Sequence, residues 1–397
     1  MDQRYRPLFN AQFTPELYAW YQQELSRRLD STFEFRLAET PVFLTDDFNQ
    51  RAVNAATAIV EQLSDPATIA RMKAAIPAQW DTPGMDGLPS FSQVDFAVVN
   101  ENGTLVPKLI ELQGFPSLTA LQVVQRDVWK DTLAKMDGLD HDWSCWFSGY
   151  DRESFLDLAR RTIVGKQDPR EVILMDIDPP RQKTFPDFAA TKLLFDVDAI
   201  DPTTLVKRGK QLFRADGTPV RRIYNRVVFD ELISKNITLP FDYREELDVE
   251  WTPHPNWYWV WSKYSLPFLK HESVPKATLV SELDSIPSDL SRYVLKPLFS
   301  FAGGGVNVDP TRADVEAIPA DERHAWCLQE KIEYEPALQA VDGGGVKIEM
   351  RMMFLRPDDE PKPILAQNLI RLSRGKMLGV DFNKQFTWVG SSVGLSS

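Results

Sequence analysis

The sequence is poor in the residues that build disulfide frameworks and zinc sites. Its 397 residues include only two cysteines, Cys145 and Cys327, and four histidines. So few cysteines argue against a disulfide framework and for a reducing compartment, and we therefore expect a cytoplasmic protein. The histidines are scattered and form no cluster with the cysteines, which excludes a recognisable zinc site.

An excess of positive charge and a long apolar run are also missing. The 45 Lys and Arg residues face 57 Asp and Glu residues, so general affinity for nucleic acid or an anionic membrane is not expected. No apolar run approaches the length of a membrane span, and the first residues lack the basic-then-apolar layout of a signal peptide. The 43% hydrophobic and 26% charged residues describe an ordinary globular protein, long enough for two or three domains.

The first ninety or so residues are predicted to be mainly helical. Thr14 is a helix N-cap, Pro15 occupies the first helical position, and Glu16 makes the first turn acidic. A second helix is expected over about residues 47–63, because apolar side chains recur there at helical spacing. This region reads as a helical layer with buried stripes.

The middle of the chain changes to strands. Two β-rich runs at 94–99 and 108–112 are joined by a turn-forming stretch and predict a hairpin with acidic groups inside its strands. A helix is expected at about 118–135. Between 171 and 232 strand and helix patterns alternate, which predicts a small open α/β domain with ligands beyond the carboxyl ends of its strands.

A glycine-rich segment near the rear of the chain suggests an anion site. A short apolar strand ends in Lys296, and three consecutive glycines at 303–305 precede a return strand. Successive free N–H groups in such a loop form a concave anion site, to which a lysine adds a point charge. The pattern alone is equally typical of a hairpin turn. A second triplet at 343–345 follows no lysine and predicts only a turn.

Neighbouring segments would complete a nucleotide site. Lys263 opens a helix-like stretch, and a Val-Pro pair at 274–275 precedes a strand at 277–280. An apolar segment at 326–333 ends in polar groups. Two lysines, Lys263 and Lys296, would then hold phosphates from either side, and the backbone of the last segment would pair with adenine.

This succession resembles the ATP-grasp superfamily over about residues 262–335. The resemblance implies ATP held between two sheets, with two lysines on the phosphates, a glycine lid, and a linker along the adenine. Glu333 or Glu335 would hold the ribose. A standard ATP-grasp ends with acidic metal ligands, for which the rear of this chain offers only residues 381–383. The implied nucleotide-binding residues are Lys263, Lys296, Ser300, Gly303, Gly304, Gly305, Gln329, Glu330, Lys331, Ile332 and Glu333.

The missing metal-binding strands have a counterpart near the front. Asp95, a turn, and the sequence from Glu111 to Gln113 resemble the metal-binding hairpin of glutathionylspermidine synthase and its circularly permuted ATP-grasp relatives. The segment at 216–227 and the tail at 371–389 fit those relatives as well. The order of the two halves along the chain is therefore the permuted one.

The resemblance covers most of residues 90–395 and implies an α/β (α+β) fold, whereas residues 1–85 match no family that we can name. The fold would be an ATP-grasp in circularly permuted order, with a small open α/β pre-ATP-grasp domain and an N-terminal helical region. The predicted regions are the helical region (1–90), the metal-binding part (91–155), the pre-ATP-grasp domain (156–260) and the ATP-binding part (261–397).

The chemistry that the resemblance implies needs particular residue types. Phosphoryl transfer requires Mg²⁺ with oxygen ligands, and Asp95, Glu111 and Gln113 supply such oxygens, because residues i and i+2 of a strand share a face. The alternative is that Asp95 and Glu111 lie on a solvated outer face. Arginines neutralise the transferring phosphate, and Arg351 and Arg371 are the candidate catalytic residues.

Two positions depart from the permuted relatives. They have Asn where Gln113 stands, and they tend to have an arginine where Gln93 stands. The leading hypothesis is an ATP- and Mg²⁺-dependent ligase that joins a carboxylate to an amine through an acylphosphate, with small-molecule or peptide substrates. The alternative, which Gln93 and Gln113 permit, is a nucleotide- or peptide-binding protein without turnover. A kinase that acts on a hydroxyl is a third reading.

Overall fold

The computed structural model describes residues 1–299, 305–375 and 385–397. In these ranges no helix combines the length and apolar character that crossing a membrane requires. The described helices are α1 Tyr5–Gln12, α2 Pro15–Leu29, α3 Asp46–Leu63, α4 Pro66–Met72, α5 Thr119–Leu133, α6 Arg152–Ile163, α7 Phe185–Phe195, α8 Phe229–Ser234, α9 Trp257–Val260 and α10 Arg312–Glu316.

The described strands form five sheets. They are β1 Val42–Phe43, β2 Phe91–Glu101, β3 Thr104–Gln113, β4 Val172–Met175, β5 Asp198–Ile200, β6 Val206–Arg208, β7 Gln211–Phe213, β8 Pro219–Val220, β9 Arg222–Asn225, β10 Glu250–Thr252, β11 Ala277–Leu279, β12 Tyr293–Pro297, β13 Trp326–Glu330, β14 Leu338–Gln339, β15 Gly345–Leu355, β16 Ile364–Ser373, β17 Gly390–Ser392 and β18 Gly394–Leu395.

The largest sheet joins the front and the rear of the chain. Its order is β17-β16-β15-β2-β3, each neighbouring pair is antiparallel, and β14 pairs with the start of β15. The predicted front hairpin is confirmed as β2 and β3, which turn at Asn102 and Gly103 with positive φ at both residues. We call this six-stranded sheet the main sheet.

The two faces of the main sheet differ sharply. On β15, Ile348, Met350 and Met352 are fully buried in the hydrophobic core that the N-terminal helices also enter. The alternate residues Glu349 and Arg351 belong to the opposite face, because side chains along a strand alternate in direction. This polar face carries the predicted acidic and basic site residues.

The region predicted as an open α/β domain contains a four-stranded parallel sheet of order β10-β9-β4-β5. Asp176 follows β4 and Arg226 follows β9, so both lie at the carboxyl edge of this sheet. The helix α7 connects β4 to β5. The arrangement places charged side chains where open α/β sheets commonly bind ligands.

The smaller sheets complete the molecule. An antiparallel sheet of order β11-β13-β12 places Lys296 directly opposite Cys327, and β6, β7 and β8 form a second small antiparallel sheet. The parallel pair of β1 and β18 ties the N-terminal region to the end of the described chain. Together the sheets and helices make a mixed α and β fold.

Several predicted elements match closely. Helix α2 begins at Pro15 with Thr14 as its N-cap, whose side chain accepts a hydrogen bond from the Leu17 N–H. The second predicted helix is α3, and the triplet at 343–345 lies in the turn between β14 and β15. Residues 376–384 of the tail at 371–389 lie outside the described residues, so the likeness of that tail to the permuted relatives stays a prediction.

Candidate functional site

A cleft opens between the end of β3 and the segment that starts at Lys263. Glu111 and Gln113 line it from the front hairpin, and Lys263 and Phe299 line it from the rear of the chain. The cleft is narrow, with a cavity volume of about 30 Å³. Residues more than 140 positions apart along the sequence therefore share one site.

The two predicted phosphate-binding lysines lie next to this cleft. Lys296 is 8% exposed, and its Nζ donates a 3.0 Å hydrogen bond to the carbonyl oxygen of Ile110. Ile110 is the extra residue of a β-bulge, because Asp95 pairs with Glu111 while the next residue, Phe96, pairs with Leu109. The bulge thus presents a backbone carbonyl to the lysine, as bulges near binding sites often do.

Charge and burial show that the lysines share one environment. Burial lowers the pKa of Lys296, the charge of Glu111 opposes this shift, and the charge of Lys263 adds to it. Burial also raises the pKa of the Cys327 thiol to about 11, against the influence of both lysines. Lys263, Lys296, Cys327 and Glu111 are therefore near enough for their charges to act on one another, and Lys263 and Glu111 line the cleft.

Lys263 is held by the start of a short 3₁₀ helix, Lys263–Phe268, and is 3% exposed. Ser262 caps this helix by accepting from the N–H of Tyr264, and Ser265 caps the Ser262 N–H in return. An aromatic run precedes the lysine, and Tyr258, Trp259 and Trp261 form one wall of the cleft. These aromatics were not predicted as site residues, although their density in the sequence beside Lys263 was a visible signal.

The glycine lid is only partly described. Ser300, Gly303 and Gly304 lie outside the described residues, as does the candidate segment at 381–383. Gly305 has φ of +71°, and a Cβ atom there would stand 3.0 Å from Cγ of Pro297. Leu295 and Asn307 then exchange two backbone hydrogen bonds, so the chain returns beside β12 after the loop.

The predicted adenine linker lies apart from the cleft lining. Gln329 is 1% exposed, and its Nε2 finds no hydrogen-bond partner among the described residues. Glu330 is exposed and accepts from the backbone N–H of Lys276. Lys331 pairs with Asp309 at 2.7 Å. The remaining two residues complete the linker: Ile332 is half-buried and Glu333 is exposed.

Asp95 is the most constrained of the predicted metal ligands. It is 1% exposed, and Arg351 on the adjacent strand donates a hydrogen bond to each of its oxygens, from Nε and from Nη2, at 2.6 Å each. Arg371 donates a third hydrogen bond to Oδ2 at 2.5 Å. Burial by itself would raise the pKa of Asp95, but the charges of the two arginines outweigh it and hold the pKa below its ordinary value.

The same arginine reaches a second acid. Arg371 also contacts the carboxylate of Glu349, its direct partner in the pairing of β15 with β16. Glu349 is 3% exposed, whereas the Arg371 side chain is 36% exposed. Two guanidinium groups and two carboxylates thus alternate along the polar face, with Arg371 as the most accessible member.

Gln93 and Gln113 are paired across β2 and β3 and are fixed by backbone carbonyls. The amide nitrogen of Gln113 donates to Oε1 of Gln93 at 2.7 Å and to the carbonyl of Phe115 at 3.1 Å. The amide nitrogen of Gln93 donates to the carbonyl of Ser117 at 3.2 Å. These bonds set the orientation of both amides and leave Oε1 of Gln113 as the atom that would accept from, or coordinate, a ligand.

Mg²⁺ does not fit the predicted trio as a set. Both oxygens of Asp95 are already occupied by guanidinium groups, and Mg²⁺ requires short oxygen contacts in near-octahedral geometry. Among the described residues no group of three or more His, Cys, Asp or Glu side chains is close enough to hold a metal. Glu111 and Gln113 remain as oxygen donors at the cleft.

A residue that the sequence reasoning missed lies over the polar face. The backbone N–H of Glu335 donates to the carbonyl of Val98, which holds the preceding residue, Tyr334, close to β2. Burial raises the pKa of Tyr334, and the charge of Arg371 opposes this shift. The charges of Asp95 and Glu111 add to it. No pattern in the sequence distinguishes this tyrosine from the others.

A second buried ion pair joins the parallel sheet to the start of helix α5. Asp187 on α7 is fully buried, accepts from the backbone N–H groups of Ala120 and Leu121 at the start of α5, and pairs with Arg226. Asp176 lies close enough for its charge to raise the pKa of Arg226. Arg226 therefore serves this junction, and the cleft lining does not include it.

Comparison with known proteins supports the fold. No family model matches the chain, and no curated protein matches it. Among solved structures it is similar to a glutathione synthetase-like effector from Globodera pallida in the apo form, with 14% identity, a TM-score of 0.62 and coverage of 96% of each chain. The two chains share a fold over nearly their whole length, which is a mixed α and β fold of the glutathione synthetase-like kind.

Proposed function

We propose that this chain is a circularly permuted ATP-grasp protein, similar to glutathionylspermidine synthase, that ligates a carboxylate to an amine through an acylphosphate. The observation that carries the proposal is the shared cleft. Glu111 and Gln113 of the front hairpin line it together with Lys263 and with Phe299, which directly precedes the glycine loop. The glutathione synthetase-like fold of the Globodera pallida effector agrees with this assignment.

The roles follow from position and charge. Lys263 and Lys296 would bind the phosphates of ATP, together with the glycines at 303–305 that the resemblance assigns to the lid. Arg351 and Arg371 would stabilise the charge that develops during phosphoryl transfer and amine attack. ATP supplies the phosphoryl group that activates the carboxylate, and no side-chain nucleophile is required.

A second candidate function is nucleotide or peptide binding without turnover. Its support is specific: both oxygens of Asp95 are held by arginines, and Gln93 stands where the permuted relatives tend to have an arginine. A site that has lost metal coordination would still offer two lysines and a cleft to a nucleotide. The neighbour of known structure is itself described as an effector.

The experiment that tests the proposal measures ADP. The protein is incubated with ATP and MgCl₂ and with mixtures of amino acids, short peptides and polyamines, in a coupled assay. We expect ADP only when a carboxylate and an amine are both present. Lys296→Met should abolish it, because a buried ammonium on the phosphates is lost, while Lys166→Met, on the exposed surface, should leave it unchanged.

Thermal unfolding with ATP and ADP separates the candidates. Binding at 100 times Kd stabilises a protein by about 2.7 kcal/mol, enough to raise Tm measurably. A rise in Tm that Lys296→Met removes, with no ADP in any mixture, would favour binding without turnover. If neither ADP nor a rise in Tm appears, the ligase and the nucleotide-binding protein are both contradicted.

A further inference from the structure

Asp95 occupies the position of a metal ligand in the resemblance, yet its surroundings are those of an anchor for arginines. In a metal site the carboxylate oxygens are available to coordinate the cation, and in the metal-free state the neighbouring carboxylates repel one another. Asp95 instead accepts three hydrogen bonds from two guanidinium groups. All three are charge-assisted, and the pair with Arg351 is bidentate, which is the strongest common geometry for such a contact.

The burial of this group makes the pairing hard to exchange. Asp95 is 1% and Arg351 is 7% exposed, so moving the carboxylate to a cation would strand a buried guanidinium. Removing one partner of a buried ion pair is strongly destabilising, because the remaining charge has no compensation. Arg371 differs, since its side chain is 36% exposed and is held at one edge by Asp95 and Glu349.

We infer that Asp95 is a positioning residue that orients Arg351 and Arg371 toward an anionic group at the polar face of the main sheet, next to its strand partner Glu111, and that any divalent cation used by this protein is bound without Asp95. The anion half of this inference rests on the proposed function. The metal half does not, because it follows from the hydrogen bonds of Asp95 alone. The phosphate and carboxyl groups of the proposed reaction belong to the same chemical class of ligand, a planar or tetrahedral oxyanion.

The metal half is tested by urea unfolding without nucleotide, in EDTA and in MgCl₂. Asp95→Asn should lower the urea midpoint in EDTA by about 1 M or more, because two guanidinium groups lose their charged partner. Glu111→Gln is the matched control: it makes the same kind of change on the paired residue of β3 and should lower the midpoint much less, because the hydrogen bonds of Arg351 and Arg371 go to Asp95. A metal ligand would behave in the opposite way, since neutralising it relieves repulsion in the empty site.

The effect of MgCl₂ on the urea midpoint is the second test of the metal half. A wild-type midpoint that does not change with MgCl₂ supports the inference. A wild-type change with MgCl₂ that is lost in Glu111→Gln and retained in Asp95→Asn supports it as well. A shift that Asp95→Asn removes overturns it. If Asp95→Asn does not fold, a wild-type shift that survives in Glu111→Gln overturns it instead. Nucleotide is absent throughout, so a failure of the proposed function leaves these outcomes unaffected.

The anion half is tested with inorganic pyrophosphate in EDTA, by calorimetry at a temperature where every variant is folded. We expect wild-type binding that weakens at least tenfold in Arg371→Gln and in Asp95→Asn, with partial rescue in Asp95→Glu. The direction of the affinity change in Asp95→Asn distinguishes the two roles. Removing a negative charge should tighten anion binding, unless that charge holds the arginines in place. No wild-type binding, or tighter binding in Asp95→Asn, overturns the positioning role. Binding that Lys296→Met abolishes while Arg371→Gln leaves it unchanged does the same.

Discussion

Three buried aspartates lie near an arginine, and they differ in how far hydrogen bonds compensate the burial of the carboxylate. Asp95 and Asp187 each accept hydrogen bonds from an arginine and from further donors, which compensate their burial. Asp176 accepts a hydrogen bond from the backbone N–H of Ile177, and burial raises its pKa to about 7 although the charge of Arg226 opposes this shift. A carboxylate with less compensation is a cost to the fold at neutral pH.

Asp176 should therefore make stability depend on pH in a definite direction. Its pKa in the folded protein, about 7, lies above the ordinary 3.8, so the folded state holds the proton more tightly. The stability is full below about pH 4 and falls as the pH rises toward 7. Asp176→Asn should then raise the free energy of unfolding by roughly 2–4 kcal/mol at pH 8 and have little effect at pH 4.

Urea unfolding at the two pH values checks this expectation. Asp178→Asn serves as the matched control, because it makes the same change two positions further on at a side chain that is 45% exposed. An equal gain at both pH values, or a loss at pH 8, would contradict the assignment of the buried charge.

At the scale of elements, sequence patterns succeeded where the local signal was complete. The N-cap at Thr14 fixed the start of α2, and the apolar stripe marked α3 to within a residue at each end. The bulge at Ile110 could not be predicted from the sequence. Its backbone carbonyl accepts the hydrogen bond from Lys296, and any residue type has such a carbonyl. The start of α5 was predicted to within a residue, but its cap was not, since the capping acid comes from α7 and not from the residues before the helix.

That cap gives a prediction for α5. Asp187→Ala removes the acceptor of two N–H groups and leaves Arg226 buried without its partner, so we expect a loss of about 3–5 kcal/mol of unfolding free energy. Asp151→Ala removes an ordinary N-cap from the exposed start of α6, and its effect should be much smaller. Chemical unfolding of both variants measures the difference, and equal losses would show that the ion pair contributes nothing beyond the cap.

At the scale of the molecule, the N-terminal region is part of the main core. Its segment around Leu37 pairs with Ser391, and β1 pairs with β18. The sequence patterns gave the helices of this region but not its attachment, because pairings over 350 residues leave no local trace. Local patterns likewise did not predict that β2 and β15 are neighbours, and the roles of the individual site residues stay predictions.

Gly390 tests that attachment. Its φ is +117°, and a Cβ atom there would lie 2.2 Å from the carbonyl oxygen of Arg36. Gly390→Ala should force the N-terminal segment away from β17 and cost clearly more than the roughly 1–2 kcal/mol of left-handed strain alone. Gly217→Ala is the control for strain without contact, because its φ is +89° and nothing lies within 4 Å. Similar thermal unfolding of the two variants would contradict the close approach.

The order of strands in the main sheet has a consequence for biosynthesis. The hairpin of β2 and β3 leaves the ribosome long before β15, its partner at Asp95, has been translated. Until then the apolar side of the hairpin has no strand to complete its sheet, and non-local closure of this kind is slow and prone to aggregation. The edge of β2 that β15 covers in the folded protein therefore stays exposed until most of the chain has been translated, and the nascent chain is prone to aggregate during that interval.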